Sequence, residues 1–207
     1  MRRITTFPKR SDSDKQLESI GMDYHPNYWQ EGTVYIFTED EIDLIKSASQ
    51  ELHDLSIEMV SSIVSSGDNP EYFKLTDTAK QLIETSWKNN EPSVYGRFDL
   101  AYNSGQLKML EYNGDAPVML LESSVAQWNY LEQVDIPFQL KIQYNSIDET
   151  LIETWKRLFP ENTTIHFSSV GGFRHEDIGN LVYMMDTAYR AGMNVIEIQM
   201  QDIGLNN

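Results

Sequence analysis

Four residues near the middle of the chain have types and spacing that could do chemistry: Arg97, Asp99, Glu111 and Asn113. They lie in two alternating runs that flank Asn103-Ser104-Gly105-Gln106, the pattern of two strands joined by a tight turn. Side chains alternate faces along a strand, so Arg97 and Asp99 share a face, as do Glu111 and Asn113. An odd-length loop, Ser104-Gly105-Gln106, sets Asp99 opposite Glu111 and Arg97 opposite Asn113. It also stacks Phe98, Leu100, Leu110 and Tyr112 on the other face. A two-residue loop mixes charged and apolar side chains on both faces, so burial favours the odd loop. One face then carries two carboxylates, an amide and a guanidinium. Hard oxygen donors of this kind suit Mg²⁺, which takes one or two carboxylates together with substrate oxygens. A planar guanidinium suits a carboxylate or phosphate. The plain alternative is a solvated sheet face with an Arg97–Asp99 pair, and these four residues alone leave both readings open.

The elements that must position this face are legible on either side of it. Upstream, Thr38-Glu39-Asp40-Glu41 forms a capping box, and apolar residues recur at three- and four-residue spacing from Ile42 through Leu55 and Met59 to Ile63. This predicts a long amphipathic helix ending near Gly67. A second helix is expected from Thr76 to about Asn89, with Glu91-Pro92 stopping it. Tyr24 to Phe37 is aromatic-rich and reads as a loop wedged against a core, ending in a short strand at 34–37. Residues 1–20 are polar and read as a mobile lead-in.

Downstream, Gly114-Asp115-Ala116-Pro117 opens a helix whose buried stripe is Leu120, Leu121, Val125, Trp128 and Leu131. Asp115 can cap that helix or face its dipole, and free first-turn amides offer a place for an anion. A further helix spans Ile147 to Leu158, closed by Pro160. Then a strand over 163–168, Gly171-Gly172, a helix from His175 to Arg190 and a strand over 194–198 make one βαβ unit, expected to be parallel. Gly171-Gly172 matches neither the dinucleotide fingerprint nor the Walker pattern. His166 reads as a core histidine. His175, Glu176 and Asp177 open a helix, where acids belong for dipole reasons alone.

Composition bounds the function. At 207 residues the chain can bury a real core. Its formal net charge of −16 argues against nonspecific nucleic-acid binding and against anionic membrane surfaces. With no cysteine, neither a disulfide framework nor a thiolate metal site is available. The N-terminus lacks the apolar run of a signal peptide, and no stretch approaches transmembrane length. The expectation is a soluble cytoplasmic protein.

Taken in order, Gly96-Arg97-Phe98-Asp99, Leu110-Glu111-Tyr112-Asn113-x-Asp115-x-Pro117 and Leu120-Leu121-Glu122 resemble the glutathionylspermidine synthase family. So do Glu176-Asp177, Asp186-Thr187-Ala188 with Ala191-Gly192, and Gln201-Asp202-Ile203-Gly204. The resemblance implies an ATP-grasp ligase, which activates a carboxylate as an acyl phosphate with Mg-ATP and lets an amine displace phosphate to form an amide. It implies Asp99, Glu111 and Asn113 as magnesium ligands, and Arg97 as the catalytic residue that holds the acyl substrate or the transferring phosphate. Asp115 is a further substrate-binding candidate. Small-molecule acyl and amine substrates follow, peptide-like or polyamine. Ala116 stands where glutathione-using members place a hydroxyl residue.

The implied fold is α/β: an α+β part with helices and an antiparallel hairpin, then a βαβ unit of an incomplete, Rossmann-like pre-ATP-grasp domain. The implied division is a lead-in over 1–20, the helices and metal-face hairpin over 21–160, and the incomplete pre-ATP-grasp region over 161–207. Family members continue into an ATP-binding half. The expectation is therefore a ligase part inactive alone, completed by an ATP-grasp half that another chain could supply. The alternative function is a non-catalytic metal- or ligand-binding module that retains the hairpin. A two-carboxylate hydrolase using Asp99 and Glu111 lacks a substrate cleft.

Overall fold

The computed structural model describes residues 1–26, 28–67, 71–115, 117–170 and 175–204. The fold is mixed α/β, with strands β1 (Arg2–Ile4), β2 (Val34–Ile36), β3 (Arg97–Asn103), β4 (Gln106–Asn113), β5 (Thr164–Phe167) and β6 (Asn194–Glu197). The helices are α1 (Ser13–Ser19), α2 (Glu39–Ser66), α3 (Asp77–Lys88), α4 (Gln127–Gln133), α5 (Ile147–Leu158) and α6 (His175–Arg190). The strands form three two-stranded sheets: β1–β2 and β3–β4 are antiparallel, and β5–β6 is parallel. The chain divides into two compact units. The first is Phe37–Asp115 with Met1, and the second is Arg2–Ile36 with Ala116–Asn207. No described helix is long and apolar enough to cross a membrane.

In the first unit, α2 begins as its sequence dictates. The Thr38 hydroxyl accepts from the Glu41 amide and the Glu41 carboxylate accepts from the Thr38 amide, so two otherwise free donors are satisfied. Gly67 ends the helix in the left-handed conformation, with φ 66°. Thr76 caps α3 in the same manner, through the Ala79 amide. The apolar stripe of α2 is only half realised. Ile42, Ile45, Ala48 and Leu52 are half-buried, whereas Leu55 is 55% exposed and Met59 58%. A 3.6-residue period states which side chains share a face, not whether anything covers it.

The second unit holds the core. Residues 1–20 hold β1 and α1. β1 pairs with β2, and Leu17 of α1 is 1% exposed. The reason lies far along the chain. Arg10 donates to Glu31 through Nε at 3.0 Å and to Gln133 through Nη1 at 2.8 Å, and its guanidinium lies 5.4 Å from the Tyr130 ring centroid. Trp29 Nε1 donates to the same Glu31 carboxylate at 2.9 Å. A long-range ion pair of this kind leaves no local signature in sequence.

Helix α4 continues from a π-helical stretch, Glu122–Ala126, and together they show how a wide turn re-phases a face. Leu120, Leu121, Ala126, Tyr130 and Val134 are buried, while Trp128, expected inside, is 37% exposed. Each π turn takes in an extra residue, so a stripe extrapolated at 3.6 residues per turn drifts off the core. Beyond it, Trp155 of α5 is buried between the rings of Phe159 and Phe167, and its indole N–H donates to Thr187 Oγ1 at 3.0 Å. The predicted βαβ unit forms, with Thr164 to Phe167 in parallel register with Asn194 to Glu197. Gly192 turns the chain after α6 at φ 93°. His166 is exposed on β5, not in the core, because the covered face of that strand carries Phe167. Gly171-Gly172 lies outside the described residues.

Candidate functional site

The hairpin places the four residues as their alternation requires. Arg97 pairs with Asn113, Phe98 with Tyr112 and Asp99 with Glu111. Opposed residues share a face, so the two carboxylates, the amide and the guanidinium stand on one side, with Phe98 and Tyr112 on the other. Those two rings stack at 4.1 Å between centroids. Tyr112 also covers Gly96, where a Cβ would lie 2.7 Å from Tyr112 Cε2. The glycine is required by that close approach.

The expected odd loop is not what sets this register. Asn103 pairs with Gln106, so the connection is the two-residue turn Ser104-Gly105, with φ 48° and 82°. Both positive angles mark a hairpin turn whose twist matches the strands. The register then shifts between Asp99 and Leu100, where Leu100 pairs with Met109 and Leu110 becomes the extra residue of a β-bulge. Leu110 is therefore 70% exposed rather than packed with Phe98 and Tyr112. The bulge restores near the strand ends the pairing that the short loop would have spoiled.

Within the face, Arg97 and Asp99 form a two-point pair, Nε to Oδ1 at 2.8 Å and Nη2 to Oδ2 at 3.3 Å. Glu111 is exposed. The Asn113 amide nitrogen is buried and donates to nothing. Burial raises the phenol pKa of the neighbouring Tyr95, and the positive charge of Arg97 partly offsets this. The donor set fits a Mg²⁺ that shares its shell with substrate: two carboxylates and one amide oxygen of the right hardness, with an amide N–H left for a phosphoryl oxygen. It does not form an all-protein cage. Among the described residues there is no group of three or more His, Cys, Asp or Glu able to hold a metal.

Asp115 is exposed, and Ala116 lies outside the described residues. The following helix starts at Leu120. Its first amide is not free for an anion, because Leu120 N–H donates to Asn180 Oδ1 at 2.9 Å. Glu122 is a residue whose setting the sequence did not disclose. It is 3% exposed, and its Oε1 accepts from Tyr24 at 2.9 Å and Tyr28 at 3.3 Å, while Oε2 is buried without a partner. Burial and the adjacent Glu122 carboxylate raise the Tyr24 phenol pKa. The aromatic run beginning at Tyr24 was the available signal, because phenols so close together need acceptors once buried.

Known proteins are similar to this chain in sequence. A Haemophilus influenzae protein named "Putative acid--amine ligase" is 40% identical over 216 residues, covering 100% of this chain and 54% of that protein. Trypanothione synthetase of Crithidia fasciculata is 32% identical over 124 residues, 58% of this chain and 19% of the other. The chain thus spans about half the length of the first relative and less of the second. The family model for the glutathionylspermidine synthase pre-ATP-grasp region matches residues 4–207, so the chain belongs to that family.

Proposed function

We propose that the chain is the metal-face part of an ATP-dependent carboxylate–amine ligase that forms an amide through an acyl phosphate. The observation that carries the reading is the opposition of Asp99 and Glu111 on one hairpin face, with Arg97 and Asn113 in the next pair of that face. Asp99, Glu111 and the Asn113 carbonyl oxygen would hold Mg²⁺, which when bound neutralises charge on the transferred phosphoryl group. Arg97 orients the acyl carboxylate or the phosphate through its planar fork. Its present pairing with both Asp99 oxygens is an exchange waiting to happen. Were those oxygens to hold a cation, the Arg97 guanidinium would turn its fork to an anionic substrate. The Asn113 amide N–H, buried without an acceptor, is placed to donate to such an anion. Asp115 is assigned to substrate binding.

In this reading residues 21–160 supply the hairpin and its helices, and residues 161–207 supply the βαβ unit. The ATP-binding residues belong to a complementary half. The substrates are small acyl and amine molecules, ATP is the co-substrate, and the setting is cytoplasmic. The chain alone is expected to form no ADP. Magnesium titration of the chain tests the metal assignment. Asp99→Ala and Glu111→Ala should each weaken Mg²⁺ binding about tenfold or more, and unchanged affinity in both would end the reading.

The closed Arg97–Asp99 pair favours a second reading, a non-catalytic binding module that keeps the hairpin. Coding sequence downstream of Asn207 separates the two. An in-frame or neighbouring ATP-grasp half supports the ligase, and its absence supports the module.

A further inference from the structure

A ridge of large apolar side chains stands in water on the second unit. Phe138 is 86% exposed, Leu140 61%, Ile142 73% and Tyr144 55%. They occupy alternate positions, and the polar residues Lys141, Gln143 and Asn145 between and beside them turn inward. Lys141 Nζ donates to the Glu132 carbonyl, and Asn145 Nδ2 donates to the Ser123 carbonyl at 3.2 Å. Gln143 Nε2 donates to Asn145 Oδ1 at 3.1 Å. Period-2 alternation usually turns the apolar set to a core, and here it turns that set outward.

The backbone beside the ridge is open as well. One helical turn at Phe138–Leu140 ends at Lys141, and residues 141–146 belong to no helix or strand. The Ile142 amide donates to the Leu140 carbonyl at 3.0 Å. Among the described residues, the Gln143 amide and the Lys141 carbonyl have no backbone partner. An apolar row beside free backbone groups is what an edge strand offers to another chain.

Charge and area select the occupant. Between Asp135 and Asp148 the only charged residue is Lys141, in a chain of formal net charge −16. A basic partner would be drawn to the acidic surfaces, whereas a second copy meets least repulsion here. The row is also self-complementary. A two-fold axis at Ile142 sets Leu140 opposite the partner's Tyr144 and Lys141 opposite the partner's Gln143, with every apolar side chain on one face. Aromatic rings bury roughly 150–250 Å² each, so the ridge and its symmetry mate close on the order of 1,000 Å², the lower end of specific interfaces.

We propose that two copies of the chain associate through this ridge, their 141–145 segments paired antiparallel about a two-fold axis at Ile142. The Gln143 amide of each copy donates to the partner's Lys141 carbonyl. Ile142, whose amide is already engaged, takes the non-hydrogen-bonded position, with Cα atoms about 4.5 Å apart. The interface uses no residue of the hairpin and is independent of the ligase reading.

The test is sedimentation equilibrium of the whole chain without nucleotide, at about 0.15 M salt, where the screening length is about 8 Å. It should show a reversible monomer–dimer equilibrium with Kd about 10–100 µM, as a small interface supports. Added salt should tighten it, because screening removes repulsion between two acidic copies. Ile142→Glu should weaken association about tenfold or more with an unchanged melting temperature, since that side chain already stands in water. An equimolar mixture of Ile142→Glu and Ile142→Lys should regain a heterodimer, because the axis sets the two charges opposite each other. The chain has no cysteine, so Ile142→Cys supplies a single thiol. Mild oxidation should link that variant into a disulfide dimer and leave Tyr189→Cys, at a comparably exposed position on α6, monomeric. A chain still monomeric at about 300 µM overturns the proposal, and binding of that monomer to phosphatidylcholine vesicles would assign the ridge to a membrane instead. Undiminished association in Ile142→Glu, or no heterodimer from the mixture, overturns it too.

Discussion

Phe37–Asp115 contains the longest helix of the chain and the hairpin with the candidate chemistry, yet none of its described residues is buried. Every core residue, from Leu17 and Met22 to Ala191 and Met193, lies in the other unit. The contrast follows from the side chains each carries. Two carboxylates and a guanidinium cannot be taken out of water cheaply unless they are paired, so a face that carries them stays open to water. Elements that receive ligands are commonly those with few buried apolar contacts, since they have to rearrange. The second unit carries the packing, including Trp155 among Phe159, Phe167 and Thr187.

The comparison breaks most sharply if a core substitution in the second unit proves mild. Trp155→Ala removes a buried aromatic and leaves Thr187 without its indole donor, and it should cost about 3–5 kcal/mol in urea unfolding. In the first unit the tightest spot is Gly96 beneath Tyr112. Gly96→Ala should cost about 1–3 kcal/mol, because the added methyl forces the Phe98–Tyr112 stack apart. Near-ultraviolet circular dichroism reports that displacement directly, and an unchanged spectrum would mean that the hairpin is looser than described.

Acid sharpens the contrast. In the second unit, hydrogen bonds from Arg190 and Tyr183 hold the Asp148 carboxyl below its ordinary range. In the first, the Met1 amino group and Tyr102 hold Glu41 at about 2. A lowered carboxyl pKa contributes stability that is present above the unfolded value and lost as pH falls through the folded one. Asp148→Asn should therefore flatten the acid limb of unfolding of the second unit, and Glu41→Gln that of the first. An acid limb unmoved by Asp148→Asn would show that the Arg190 pair contributes nothing to stability. The smallest effect belongs to the open stripe of α2. Leu55→Ala should change stability by no more than about 0.5 kcal/mol, since that side chain is already mostly in water.

What could be read from sequence was local or strictly periodic. The capping box at Thr38, the limits of α5 and the order of β5, α6 and β6 follow from hydroxyl, proline, glycine and alternation signals that act within a few residues. The Arg10–Glu31 pair did not, because its two members lie far apart in the chain, and the π stretch at Glu122 did not, because it departs from the 3.6-residue period.

The hairpin shows both sides in one element. Alternation by itself determined that Asp99 and Glu111 must share a face if Phe98 and Tyr112 are to share the other, and the strands pair accordingly. How the chain achieves this was decided only in three dimensions. A two-residue turn at Ser104-Gly105 matches strand twist, and a bulge at Leu110 absorbs the one-residue slip that it introduces. Likewise, the period of α2 determined which residues form its stripe, while its coverage was a tertiary matter. A helix period names a face, but only neighbouring chain can remove it from water.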